Sequence, residues 1–168
     1  MLEQKQYDFI KSLPEGEERE RILDDYYSKW FKIKKVSMEI QKSGVDRIFT
    51  HPDGYKFTVE YKGDNRGHET GNVFIETVSV DTNNTLGWAY TACAQVLYYW
   101  IMGLHTVYIM DMMRLKRILP LWIDKYGDKI KSIENDGYYT KGFPIPISVF
   151  EKDCVHIDNR VTHEKDLD

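Results

Sequence analysis

The sequence predicts a single α/β domain in which a mixed β-sheet lies between helices. Three observations carry this reading. Residues 44–62 (GVDRIFTHPDGYKFTVEYK) have the pattern of a β-hairpin. Segments of helical and strand-like periodicity alternate on either side of it. The 168-residue length suits one domain with a substantial core.

In the hairpin, Val45–Thr50 and Tyr55–Lys62 flank His51-Pro52-Asp53-Gly54. Proline pre-sets φ, aspartate bonds the local backbone, and glycine takes a positive φ. Strand side chains alternate, so Phe57, Val59 and Tyr61 share one face while Thr58, Glu60 and Lys62 share the other. Asp46 opens the partner strand. The hairpin therefore offers two carboxylates and an amine on adjacent strands, a plausible set for a divalent cation with a lysine beside it.

Before the hairpin, residues 3–12 read as a short helix ending at Pro14. Glu17 to about Phe31 reads as a stronger one, with an acidic first turn (Glu17, Glu18, Glu20) at the positive end of its dipole. Ile22, Tyr26 and Trp30 define its apolar line, with Leu23 and Tyr27 beside it. The alternation of Val36, Met38 and Ile40 predicts an extended approach. After the hairpin, GDNRGHETGN is expected to be a polar surface loop. Val73–Val80 is a third strand, with Glu76 among β-branched residues, and the run Gly87–Met102 is expected to be a buried helix. Thr106–Met110 is a strand, and Asp111 caps a helix over Met112 to about Tyr126, with Pro120 kinking or restarting it and Gly127 stopping it. Gly142, Pro144 and Pro146 mark any strand in Tyr138–Phe150 as an edge or irregular one. The polar tail from Lys152 is expected to add little to the core.

Net charge is −4, but the charge is unevenly placed. Residues 1–28 hold four basic and eight acidic side chains, whereas residues 29–66 hold nine basic and five acidic. The basic stripe, which includes Lys42 and Arg47, is either a solvated surface segment or what a polyanionic substrate would need around a carboxylate site. The N-terminal residues lack a long apolar run, so no signal peptide is expected. Residues 82–110 contain no Asp, Glu, Lys or Arg, yet their polar and tyrosine-rich content fits buried protein elements better than a membrane span. Cys93 and Cys154 form neither a disulfide framework nor a zinc spacing, Cys93 is expected to be buried, and a cytoplasmic location is the default.

Asp46, followed on the next strand by Glu60-Tyr61-Lys62, after one helix and before a further strand and helix, resembles the PD-(D/E)xK nuclease superfamily. Gln95 and Tyr99 add a resemblance to the Gln-x-x-x-Tyr element of some exonuclease members. Val45 stands where the family usually has proline. The resemblance covers roughly residues 17–126, leaving 127–168 as a C-terminal extension of a single domain. It implies a restriction-endonuclease-like fold with an αβββαβ core and a Mg²⁺- or Mn²⁺-dependent nuclease acting on DNA by direct water attack. It places Asp46, Glu60 and the Tyr61 carbonyl as metal ligands, with Glu76 or a first-helix carboxylate as a further one, and Lys62 as the catalytic amine. Lys42, Arg47, Gln95 and Tyr99 are candidate substrate contacts. The alternatives are a catalytically inactive nucleic-acid-binding module on the same fold, or a protein-interaction domain whose aromatic residues form a homodimer.

Overall fold

A computed structural model describes residues 16–161; the expected helix over 3–12 lies outside them. A helix over residues 16–27, α1, precedes strand β1 (Lys32–Lys35) and a single helical turn, α2 (Met38–Gln41). The hairpin follows as β2 (Arg47–Thr50) and β3 (Lys56–Asp64). Then come α3 (Gly67–Thr70), β4 (Asn72–Val80), β5 (Thr85–Leu86) and α4 (Trp88–Thr91). Strands β6 (Val96–Ile101) and β7 (Thr106–Asp111) lead into α5 (Met112–Tyr126). The chain continues with β8 (Lys131–Glu134), β9 (Tyr139–Pro146), α6 (Ile147–Phe150) and β10 (His156–Asp158).

These strands make two sheets. The first is six-stranded and mixed, in the order β1-β2-β3-β6-β7-β10. Only β3 and β6 run parallel in it. The second is four-stranded and antiparallel, in the order β5-β4-β9-β8. The central mixed sheet flanked by helices is thus the predicted class. Its three leading strands differ from the expected ones, because β1 joins the hairpin and the strand carrying Glu76 belongs to the second sheet.

The first sheet is covered on both faces. Leu23 and Tyr27 of α1 pack with Phe49, Val59, Tyr61, Tyr98 and Trp100 on one side. On the other, Leu97, Tyr99 and Ile101 meet Val73, Ile75, Phe143 and the apolar side of α5. Burial on both faces explains why β6 lies in a run expected to be helix. A strand with no solvent face loses the polar–apolar alternation that would mark it. Only Trp88–Thr91 of that run is α-helical.

Other expectations are adjusted by local chemistry. The buried line of α1 is Leu23–Tyr27, not Ile22–Tyr26–Trp30, because the helix stops at residue 27 and Trp30 is half exposed in the turn beyond. Met38 and Ile40 are exposed on a turn that Ser37 caps, so the extended approach is β1 instead. Strand β9 is irregular as expected, its register with β4 shifting between Gly142 and Lys141, but at residues 141–142 it is interior, paired with both β4 and β8. Pro144 and Pro146 lie past the end of β8, where their missing N–H groups interrupt no ladder on that side. The tail contributes β10 and the fully buried Val161. Cys93 is exposed, not buried.

The hairpin turn and α5 form as expected. Gly54 has φ +93°, and Asp53 Oδ1 accepts the Tyr55 N–H at 2.9 Å. Asp111 Oδ1 accepts the Arg114 N–H at 2.8 Å, capping α5. Pro120 sits on the exposed side of that helix, and Met112, Leu115, Leu119, Trp122 and Tyr126 form its buried side. Among the described residues no helix is long and apolar enough to cross a membrane.

Candidate active site

Strand register brings the hairpin carboxylates together. Arg47 pairs with Val59, so Asp46 stands just beyond the ladder, level with Glu60 and Tyr61. The Asp46 N–H donates to the Val59 carbonyl at 2.8 Å, and the Tyr61 N–H donates to Asp46 Oδ2 at 2.7 Å. The N–H and C=O of a strand residue project to the same side, so the Tyr61 carbonyl faces this edge too. Glu60 and Lys62 occupy the face of β3 opposite the α1 core, as alternation requires. Lys62 Nζ lies 2.6 Å from Glu60 Oε1.

Glu76 approaches from the second sheet. Its strand is irregular between Glu76 and Val78. The Gly87-Trp88 backbone closes on it, with the Trp88 N–H donating to Glu76 Oε1 at 3.4 Å. A Cβ on Gly87 would stand 2.4 Å from the Glu76 carbonyl oxygen, so only glycine permits this approach.

One ammonium therefore faces several carboxylates. Burial opposes the charge on Lys62, but Glu60, then Asp46 and Glu76, outweigh it and hold its pKa above the ordinary lysine value. Burial also pushes the Glu60 carboxyl up; Lys62 counters this, the Asp46 charge adds to it, and the result is about 7. Glu76 is raised by burial, against the pull of Lys62. Glu60 Oε2 is buried and has no hydrogen-bond partner. A buried carboxylate oxygen without a donor is costly; a proton shared with Asp46 or a bound cation would each relieve it. Among the described residues no three His, Cys, Asp or Glu side chains converge into a ready-made metal site. Two carboxylates plus a backbone carbonyl nonetheless fit Mg²⁺, which keeps several waters and takes few protein ligands.

Lys62 and Glu76 line a cleft of about 360 Å³ where the C-terminal end of β3 meets the second sheet, also lined by Asp64, Arg66, Tyr99 and Lys131. Glu60 does not line it and lies beneath Lys62. Sequence reading missed Arg66 and Lys131. Arg66 lies in the segment taken as a plain surface loop, and Lys131 reaches the cleft from a strand that had no expected place in the fold.

The remaining candidates separate. Arg47 is buried on the α1 face, with Nη2 on Glu20 at 2.8 Å and Nε on Asp24 at 2.9 Å, so it ties helix to hairpin instead of meeting substrate. Those pairings also engage two of the first-helix carboxylates; Glu18 and Asp25 pair with Arg21. Lys42 is exposed after α2, away from the cleft lining. Gln95 and Tyr99 do not lie on a helix. Gln95 Oε1 accepts the Thr58 N–H at 3.0 Å before β6 begins, and four residues of strand span roughly 13 Å. Tyr99 does reach the cleft lining, but its hydroxyl is taken, donating to Asp64 Oδ2 at 2.7 Å and accepting the Phe74 N–H at 3.2 Å.

Compared with family models, characterised proteins and solved structures, the chain has no match.

Proposed function

We propose that this protein is a metal-dependent nuclease that hydrolyses phosphodiester bonds, with DNA as its substrate, by direct attack of water. The observation that carries the reading is the unbalanced cluster at the head of the cleft. Lys62 Nζ lies 2.6 Å from Glu60 Oε1 and also feels the charges of Asp46 and Glu76, and Glu60 Oε2 is buried with no hydrogen-bond partner. The arrangement of α1, three antiparallel strands and a parallel β6 beside β3 supports the same reading.

Asp46, Glu60 and the Tyr61 carbonyl would hold Mg²⁺ or Mn²⁺, with Glu76 nearby. When bound, such an ion polarises the phosphate and lowers the pKa of water. Lys62 orients the attacking water and neutralises charge gathering on the phosphate oxygens. Asp46 is fixed by the Tyr61 N–H and is close enough to Glu60 for the two carboxyl groups to interact. Arg66 and Lys131 supply positive charge along the cleft.

A second reading has its own observation. Glu60 Oε1 is already paired with Lys62 at 2.6 Å, and Arg66 and Lys131 bring positive charge to the cleft independently of it. This favours a nucleic-acid-binding module without catalysis.

The test is incubation of purified protein with linear, branched and single-stranded DNA, with Mg²⁺ or Mn²⁺. Wild type is expected to cut, chelator to stop it, and Lys62→Ala to lower the rate at least about 100-fold. Equal cleavage by wild type and Lys62→Ala would overturn the nuclease reading. Metal-independent DNA binding without cleavage would establish the second.

A further inference from the structure

The second sheet presents different chemistry on its two faces. Val73, Ile75, Phe143 and Ile145 bury one of them in the core. Alternation assigns Phe74 and Glu76 to the other face, where Pro144 and Gly142 are their partners on β9. Lys131 pairs with Gly142 from the far side, so Lys131, Gly142 and Glu76 form one row across three strands.

Gly142 shapes this row. A Cβ there would lie 2.6 Å from Phe74 Cζ, so the phenyl ring lies over the bare glycine backbone. The result is an aromatic surface between a lysine and a glutamate. Arg66 enters the same cleft from the end of β3. Neither Arg66 nor Lys131 has an ion-pair partner among the described residues. The nearby Asp64 is committed, accepting the Arg66 and Gly67 N–H groups at 2.8 Å and the Tyr99 hydroxyl at 2.7 Å.

Two uncommitted cations beside an aromatic wall suit an anion that carries a flat apolar group. A nucleotide has that chemistry: its phosphate answers the cations and its base stacks on a ring. The volume of about 360 Å³ falls at the small end of ligand sites, enough for one such unit and too small for a duplex.

We infer that the cleft seats one unpaired nucleotide of the substrate strand, its phosphate toward Arg66 and Lys131 and its base against Phe74. The inference rests on the nuclease reading and narrows its substrate to a strand with an unpaired nucleotide next to the scissile bond. Lys62 stands at one end of the cleft, so the seated unit would set which phosphate reaches it.

The test measures binding, in chelator, so that it does not depend on cleavage. Short fluorescein-labelled single strands and blunt duplexes of the same sequence are titrated with wild type, Lys131→Glu, Phe74→Ala and a control, Lys152→Glu, which lies outside the cleft lining. Circular dichroism checks that each variant is folded. Wild type is expected to bind the single strand more tightly than the duplex. Lys131→Glu should weaken single-strand binding about tenfold and reduce its salt dependence by about one ion. Phe74→Ala should weaken it about tenfold with the salt dependence unchanged, and Lys152→Glu should match wild type. The inference is overturned if both cleft variants stay within about twofold of wild type, or if duplex binds better. It is also overturned if a free nucleoside monophosphate binds as tightly as the strand, which would make the cleft a free-nucleotide site. Loss of binding in the cleft variants, with no cleavage by wild type in Mg²⁺, retains the seat and removes the nuclease reading. Cleavage that depends on Lys62, with binding unchanged in the cleft variants, does the reverse.

Discussion

Two ionic clusters sit on opposite faces of the same hairpin. On the α1 face, Arg47 is almost fully buried and each of its three nitrogens is hydrogen-bonded. Its Nε and Nη2 meet Asp24 and Glu20, its Nη1 donates to the Asp46 carbonyl at 3.0 Å, and Tyr61 Oη donates to Asp24 Oδ1 at 3.0 Å. On the cleft face, Lys62 stands among Glu60, Asp46 and Glu76, and Glu60 Oε2 has no partner. The first cluster sets two carboxylates against one guanidinium, but Arg47 bonds both, Tyr61 adds a donor to Asp24, and both carboxylates keep access to solvent, so it joins two elements at little cost. The second has more negative charge than one ammonium can balance. Such an imbalance is costly for stability, and this one opens onto a cleft. The contrast separates a structural ion network from the cluster that, on the proposed reading, takes a cation.

The clusters should therefore fail in opposite ways. Glu60→Gln is expected to lower metal-dependent cleavage at least about 100-fold while changing the melting temperature little, because it gives up the 2.6 Å pairing with Lys62 but also removes the repulsion with Asp46. Arg47→Met strands two carboxylates against the hairpin and is expected to cost about 3 kcal/mol in urea denaturation, while its folded fraction still cuts. If Arg47→Met abolishes cleavage without a loss of stability, the assignment of the two clusters is reversed.

A pH series sharpens the contrast. The folded Glu60 pKa, about 7, is above its ordinary value of 4.5. The folded state therefore binds more protons than the unfolded chain in this window, and stability falls as pH rises from about 4.5 through 7. The decline levels off above the folded value. Glu60→Gln should flatten it in thermal melts, and Mg²⁺ should raise the wild-type melting temperature at pH 8 but not at pH 5. A wild-type profile that rises over this range, with the same slope in Glu60→Gln, removes Glu60 as its cause.

The smallest effects belong to the outlying candidates. Gln95→Ala loses an exposed hydrogen bond to the Thr58 backbone and is expected to cost about 1 kcal/mol or less, with cleavage unchanged. Lys42→Ala should change stability by no more than about 0.5 kcal/mol. A large loss of cleavage in either would place a substrate contact outside the cleft.

The hairpin was legible because its signals are local. Pro52-Asp53-Gly54 fixes the turn, and period-two alternation carries Glu60 and Lys62 to one face. The Asp111 cap and the i, i+4 spacing of α5 are local in the same way. Strand β6 was hidden because Leu97, Tyr99 and Ile101 face one core while Tyr98 and Trp100 face another. No polar face then remained to reveal its period, and the run was long enough to pass for a helix. The role of Arg47 depends on partners 23 and 27 residues earlier in the chain, a pairing that only packing creates. Lys131 illustrates the same point, since its place in the cleft follows from β9 lying between it and β4.

The central claim is that the cleft-face cluster holds a divalent cation. Its most direct test is anomalous diffraction from crystals soaked in Mn²⁺. A peak within coordination distance of Asp46, Glu60 and the Tyr61 carbonyl, absent in Glu60→Gln crystals, is the predicted result. Ordered carboxylates with Lys62 still on Glu60 and no peak between them, at Mn²⁺ concentrations that support cleavage, would contradict it.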